Sequence, residues 1–131
     1  MGSLSNYAEN KILDHLVGKT SFTMPVAWIA LSTADPTDDA SGISEPSGNG
    51  YARVETSASD WDAAASGATA NAAAITFPTA SGSWGTISHF AIYDAETDGN
   101  MLAHGSVTTP TAISTNQIPT FAIGELDITA D

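Results

Sequence analysis

The stretch Asn71-Ala-Ala-Ala-Ile-Thr-Phe-Pro78, the loop Thr79 to Trp84, the run Gly85-Thr-Ile-Ser-His-Phe-Ala-Ile-Tyr93, the turn Asp94-Ala-Glu-Thr-Asp-Gly-Asn100 and the run Met101-Leu-Ala-His-Gly105 decide the fold. Ile75 and Phe77 lie two apart and share one face of a strand. Ile87 falls out of step with Phe90 and Ile92, which predicts a bulge near Ser88 or burial on both faces. Asp98-Gly99-Asn100 accepts positive φ and separates two apolar runs, so the stretch reads as a long-looped hairpin. Paired, its two arms supply the central strands of a small all-β domain.

Working outward, residues 5–18 read as the one amphipathic helix. Asn6 with Glu9 has capping-box spacing. Ala8, Ile12, Leu13, Leu16 and Val17 recur at helical spacing, and Gly18 sits where a left-handed cap belongs. A helix this short needs a sheet, a second copy or a partner to pack on. Residues 25–32, Pro-Val-Ala-Trp-Ile-Ala-Leu-Ser, are apolar on both faces and predict a strand covered on both sides or at a subunit contact. Residues 33–50 hold Asp35, Asp38, Asp39 and Glu45 among Pro and Gly, and read as a long acidic loop that a neighbouring subunit or partner orders. Tyr51 to Ser57 reads as a strand, with Arg53 paired to a carboxylate. The run 63–70 reads as a strand edge or loop, and Ser106 to Ile118 as an extended connection. In the last segment, a bulge at Gly124 would keep Phe121, Ile123, Leu126 and Ile128 on one face. The fold class is therefore mainly β: a single domain over 1–131, a β-sandwich or jelly roll over about 22–129, with the N-terminal helix beside it.

The chain has 131 residues, three cations (Lys11, Lys19, Arg53) and fifteen carboxylates, for a net charge of -12. Nucleic acid and anionic membranes are poor partners for such a surface. With no Cys, disulfides and thiolate metal sites are excluded. No run is long and apolar enough to span a bilayer, and no signal peptide is expected. No catalytic constellation is apparent, so no enzymatic activity, cofactor or metal is expected. The acidic loop does not match an EF-hand. Asp60-Trp61-Asp62 lacks a nucleotide-binding context. His89 and His104 face across the hairpin without an evident third ligand.

Four stretches resemble a group of small structural proteins of tailed bacteriophages: 4–18, Ala30-Leu-Ser-Thr-Ala-Asp-Pro-Thr37, Gly50-Tyr-Ala-Arg53 and, most specifically, Trp84-Gly-Thr-Ile-Ser-His-Phe-Ala-Ile-Tyr-Asp-Ala95. Members are labelled virion, tail fibre or head decoration (cement) proteins. The resemblance implies a virion protein made in the host cytoplasm. Related cement proteins form trimers of β-sandwich or jelly-roll subunits on the outer head. A cement protein bound to the major capsid protein, and to itself as a homotrimer, is the expected function, with a tail fibre or receptor-binding module as the alternative. Ala8, Ile12, Leu13, Leu16, Val17, Trp28, Arg53 and Trp84 are the expected subunit or capsid contacts. For the tail alternative, Trp61 and Trp84 are the candidate sugar platforms.

Overall fold

The computed structural model describes residues 2–130, so both ends of the expected domain, residues 1 and 131, lie outside the described residues. The elements are β1 (Gly2–Leu4), α1 (Asn6–Leu16), β2 (Trp28–Ser32), β3 (Val54–Glu55), a 3-10 turn (Ala58–Asp60), β4 (Ala68–Ala70), β5 (Ile75–Thr76), β6 (Gly85–Tyr93), β7 (Met101–Ile113), β8 (Thr120–Phe121) and β9 (Asp127–Thr129). A curled seven-stranded sheet runs β3-β2-β6-β7-β1-β9-β4, and β5 with β8 forms a separate two-stranded sheet. The fold is mainly β with one N-terminal helix, as expected.

The hairpin β6–β7 lies at the middle of the large sheet. Its ladder jumps from Ile87–Thr111 to His89–Ser106, which is the bulge foreseen at Ser88. The jump takes more residues on β7 than on β6 and leaves 107–110 without partners on β6. Because of the bulge, Ile87 joins Phe90 and Ile92 in the main core. A second shift, between Ile92 and Tyr93, falls opposite the consecutive buried residues Met101, Leu102 and Ala103.

Alternation along β2 and β6 feeds two clusters. Ile29, Leu31, Phe90 and Ile92 enter the main core with Ile75, Phe77 and Leu126. Ala30, Ala91 and Tyr93 point the other way and meet Met101, with Ala40 and Ile43 packed over them. The two-faced strand is thus covered on its second side by the chain's own loop 33–50, not by a neighbouring subunit. That loop is ordered from within. Asp35 Oδ1 accepts from Thr37 N at 2.9 Å, and Asp39 Oδ1 accepts from Ser41 N at 3.0 Å and Thr37 Oγ1 at 2.7 Å. Hydrogen bonds from Ser41, then from Thr37, hold the exposed Asp39 carboxyl down at about 2.

Arg53 fixes the far end of the loop. Its guanidinium donates in a fork to Glu45, Nε to Oε1 at 2.9 Å and Nη2 to Oε2 at 2.8 Å. Nη1 donates to the carbonyls of Ala95 and Asp98, and the group stacks 3.9 Å from the Tyr93 ring centre. Tyr51 donates its hydroxyl to Glu45 and accepts from Leu31 N. Burial, then the Glu45 hydrogen bond, pushes the Tyr51 phenol far up. Burial alone would lower the Arg53 guanidinium, and Glu45, with Tyr93 and Tyr51, more than offsets it.

Several segments differ from the sequence reading. A three-residue strand, β1, precedes the helix and lies between β7 and β9, where buried Gly2 lets the backbone pass close over the Phe90 ring. The helix cap is Ser5, not Asn6: Ser5 Oγ accepts from Ala8 N at 3.1 Å. Asn6 N instead donates to the Asp38 carbonyl. Most of the expected connection 106–118 is strand, since β7 continues to Ile113. The last segment splits into β8 and β9 in different sheets, because Gly124 (φ 82°) makes a turn that leaves Ile123 exposed and Leu126 buried.

Asn71, fully buried, organises that turn. Its Nδ2 donates to the carbonyls of Ala73 and Ala122, and its Oδ1 accepts from Leu126 N, all at 2.9 Å. Replacing Asn71 with Ala removes three hydrogen bonds of a fully buried side chain and strands the buried Leu126 N–H, and is expected to destabilise by about 3 kcal/mol in urea unfolding. In Asn71→Asp the carboxylate faces two carbonyls, so the folded state favours the protonated acid. Its folded pKa then lies above the unfolded one, and stability is expected to fall as pH rises past about 4. A pH-independent loss would contradict the assignment. For Arg53, whose side chain is 6% exposed, replacement with Ala is expected to cost about 3 kcal/mol. Arg53→Lys should recover less than half of that, because an ammonium cannot reproduce the fork and both carbonyl contacts.

Candidate functional site

Three surface features stand out, and the first is the helix. Ser5 and Asn6 stitch its start to Leu102 and Asp38 through main-chain bonds. Tyr7 meets Phe22 edge-on at 6.4 Å, and Phe22 N donates to His15 Nδ1 at 3.1 Å. At its C-terminal end Gly18 (φ 77°) takes the left-handed conformation expected of a cap. Of the expected stripe only Ala8 is buried. Ile12 and Leu13 are exposed, as are Leu16 (75%) and Val17 (74%), and beyond the helix Met24 is 89% exposed. Together they form an exposed apolar run, a candidate interaction surface.

The other expected contact residues have different surroundings. Trp84 is buried, packs edge-on against Tyr51 at 5.2 Å, and donates Nε1 to the Asn49 carbonyl at 2.8 Å. Arg53 is engaged within its own chain, as described above. Trp28 is half-buried at the start of β2, between Glu55 and Tyr93. Trp61 is also half-buried and donates to Thr56 Oγ1 at 3.0 Å. Its neighbour Asp60 accepts from Ser57 N in a capping box. Trp84 therefore offers no open face for a sugar, while Trp61 keeps part of its surface exposed.

The second feature is a shallow hollow over His89 and His104. His104 Nε2 lies 2.8 Å from Asp38 Oδ1, and its Nδ1 lies 3.9 Å from Asp35 Oδ1. His89 Nδ1 shares a hydrogen bond with Ser88 Oγ. Among the described residues no group of three His, Cys, Asp or Glu side chains is placed to hold a metal ion. The imidazole of His104 instead ties loop 33–50 to β7.

The third feature is a groove of about 520 Å³. It opens between the far half of β7 and the segment carrying β8. Leu31, Ile87 and Phe90 reach its floor. Half-buried Phe121 forms a wall, fixed edge-to-face by Phe77 at 6.2 Å and Phe90 at 6.1 Å. Thr108, Thr109, Gln117 and Glu125 stand at the rim. The sequence reading placed no site here. The ladder jump at Ser88 was legible, but not that it would hold 107–110 off β6 and against residues 117–121.

Among the described residues, no helix is long and apolar enough to cross a membrane. No curated protein matches the chain. A family model does match: that of the podophage GP4 fiber I protein gp80, over residues 3–129. That span takes in the helix, the loop and every strand of both sheets except Gly2 at the start of β1. The chain belongs to this family of phage fibre-type structural proteins.

Proposed function

We propose that the chain is a non-enzymatic, fibre-type subunit of the podophage virion that assembles with further copies of itself through the exposed face of α1. The exposed side chains Leu13, Leu16 and Val17 carry this reading. They form the one helical stripe the sheet does not cover, and a short helix gains little stability unless its apolar face is packed. The family match supports the fibre assignment. The carboxylates of the acidic loop fit a structural role, since they accept from their own backbone or hold Arg53 and His104.

A second reading, decoration of the capsid surface, draws on a different observation. The described residues have no long coiled coil and no stacked repeat of the kind that builds a fibre shaft. A homotrimer seated on the major capsid protein would stabilise the head by binding the intact lattice in preference to its broken form. Copy number separates the two readings. The fibre reading expects a few to a few dozen chains per virion when the chain is quantified against the major capsid protein in purified particles. Hundreds of copies would overturn it in favour of decoration.

Self-association has its own test. In sedimentation of the purified protein the wild type is expected to be oligomeric, and Leu16→Glu with Val17→Lys to be monomeric with an unchanged unfolding midpoint. A monomeric wild type at high concentration, or an oligomer indifferent to both substitutions, would refute the helix contact.

A further inference from the structure

The groove beside Phe121 is used neither by the core nor by the helix contact. We infer that it is a binding site for a neutral saccharide. Its volume of about 520 Å³ falls in the range of roughly 300–1,000 Å³ that small-molecule sites occupy. The walls divide as a sugar ring does. Phe121, immobilised by Phe77 and Phe90, gives a rigid apolar surface for the C–H face of a pyranose. The rim supplies donors and acceptors for its hydroxyls.

Those rim groups are not occupied by the protein. Gln117 Oε1 accepts from Ser114 N at 2.6 Å, which fixes the amide and leaves its nitrogen without a partner. Glu125 Oε2 accepts from Ala122 N at 3.0 Å, leaving Oε1 free to accept. The hydroxyls of Thr108 and Thr109 have no partner among the described residues. Gln117 and Glu125, each anchored through one oxygen, line the groove with Thr108 and Thr109, so part of the rim's polar geometry is set before a ligand arrives.

The same lining argues against other ligands. It contains no Lys or Arg, so an anionic saccharide or phosphate would meet Glu125 with nothing to offset it. A purely apolar ligand would leave the rim groups desolvated and unpaired. An added β-strand would find little to pair with, since Pro110 lacks an N–H on β7 and β8 offers only two residues, next to Pro119. This inference does not depend on whether the chain sits on the head or in a fibre.

The test uses the full chain, isotope-labelled, first on a printed array holding neutral and acidic glycans. The strongest neutral oligosaccharide is then titrated while amide resonances are followed. Expected are saturable shifts at Thr108, Thr109, Gln117 and Phe121. Removing two rim contacts in Thr108→Ala with Gln117→Ala should weaken binding about tenfold or more. Both positions are exposed; losing the Gln117 bond to Ser114 N should lower the thermal midpoint slightly, whereas Thr108→Ala alone should leave it unmoved and still weaken binding. Phe121→Leu keeps an apolar wall but loses the flat ring, and should weaken the neutral sugar as well. Three results would each overturn the assignment: no neutral glycan bound at millimolar concentration, shifts confined to another surface, or a preference for acidic glycans. Groove resonances that respond to protein concentration instead of sugar would overturn it too, by making a second copy the occupant.

Discussion

Asn71 is a buried amide that cannot be left unpaired, and much of the architecture follows from how it is satisfied. The strand pair β5–β8 has only two residues on each side and would not persist alone. It is held in place because Asn71 grips the carbonyl of Ala122 and the N–H of Leu126, while Gly124 N donates back to the Asn71 carbonyl. Leu126 is thereby driven into the core beside Phe77 and Phe90, and β9 emerges on the other side to pair with β1 and β4. One side chain thus converts a glycine turn into the crossing point between the two sheets. No buried side-chain polar atom among the described residues lacks a partner, which a crossing built from short strands requires.

What was legible in the sequence was whatever rests on local periodicity. The hairpin, its bulge at Ser88 and the helix with its Gly18 cap all leave a pattern within a dozen residues. Elements defined by distant partners leave none. β1 is three residues long and is a strand only because β7 and β9 lie on either side. Ser5 displaces Asn6 as the cap because the chain reaches the helix from a strand, so that Ser5 N donates to the Leu102 carbonyl. Trp84 reads as a surface aromatic in a Gly/Ser loop, yet the loop folds inward when Asn49 accepts its indole N–H. The candidate surface was half legible. The helical stripe could be named in advance, but which of its residues the sheet would cover could not.

Loop 33–50 shows how one misplaced partner shifts a whole interpretation. A strand apolar on both faces demands two covers, and a subunit interface is the obvious second one. Here the second cover lies next in the chain. Ala40 and Ile43 close over Ala30, Ala91 and Tyr93, and Arg53 clamps the loop by holding Glu45 at one end and the turn carbonyls of Ala95 and Asp98 at the other. Of the acidic residues that suggested a partner, Asp35 and Asp39 cap the loop's own turns, Asp38 holds His104 and Glu45 holds Arg53. With that face closed, the unmet demand for burial moves to α1.

Charge points to the same place. Within residues 6–19, Glu9 and Asp14 are matched by Lys11 and Lys19, so the formal -12 is carried entirely by the rest of the chain. Arg53, the remaining cation, is enclosed by Glu45 and Tyr93 and offsets nothing at the surface. Copies of so acidic a protein repel one another over most approaches, and salt screens that repulsion only beyond about 8–10 Å. The formal charge cancels along the helix, as it is also zero over 63–93 and 99–124, but the helix is where Leu13, Leu16 and Val17 stand exposed together. Apolar area and low formal charge therefore coincide on the helix. Since the uncharged segments elsewhere expose fewer large apolar side chains, the proposed self-contact is favoured there by apolar area more than by charge.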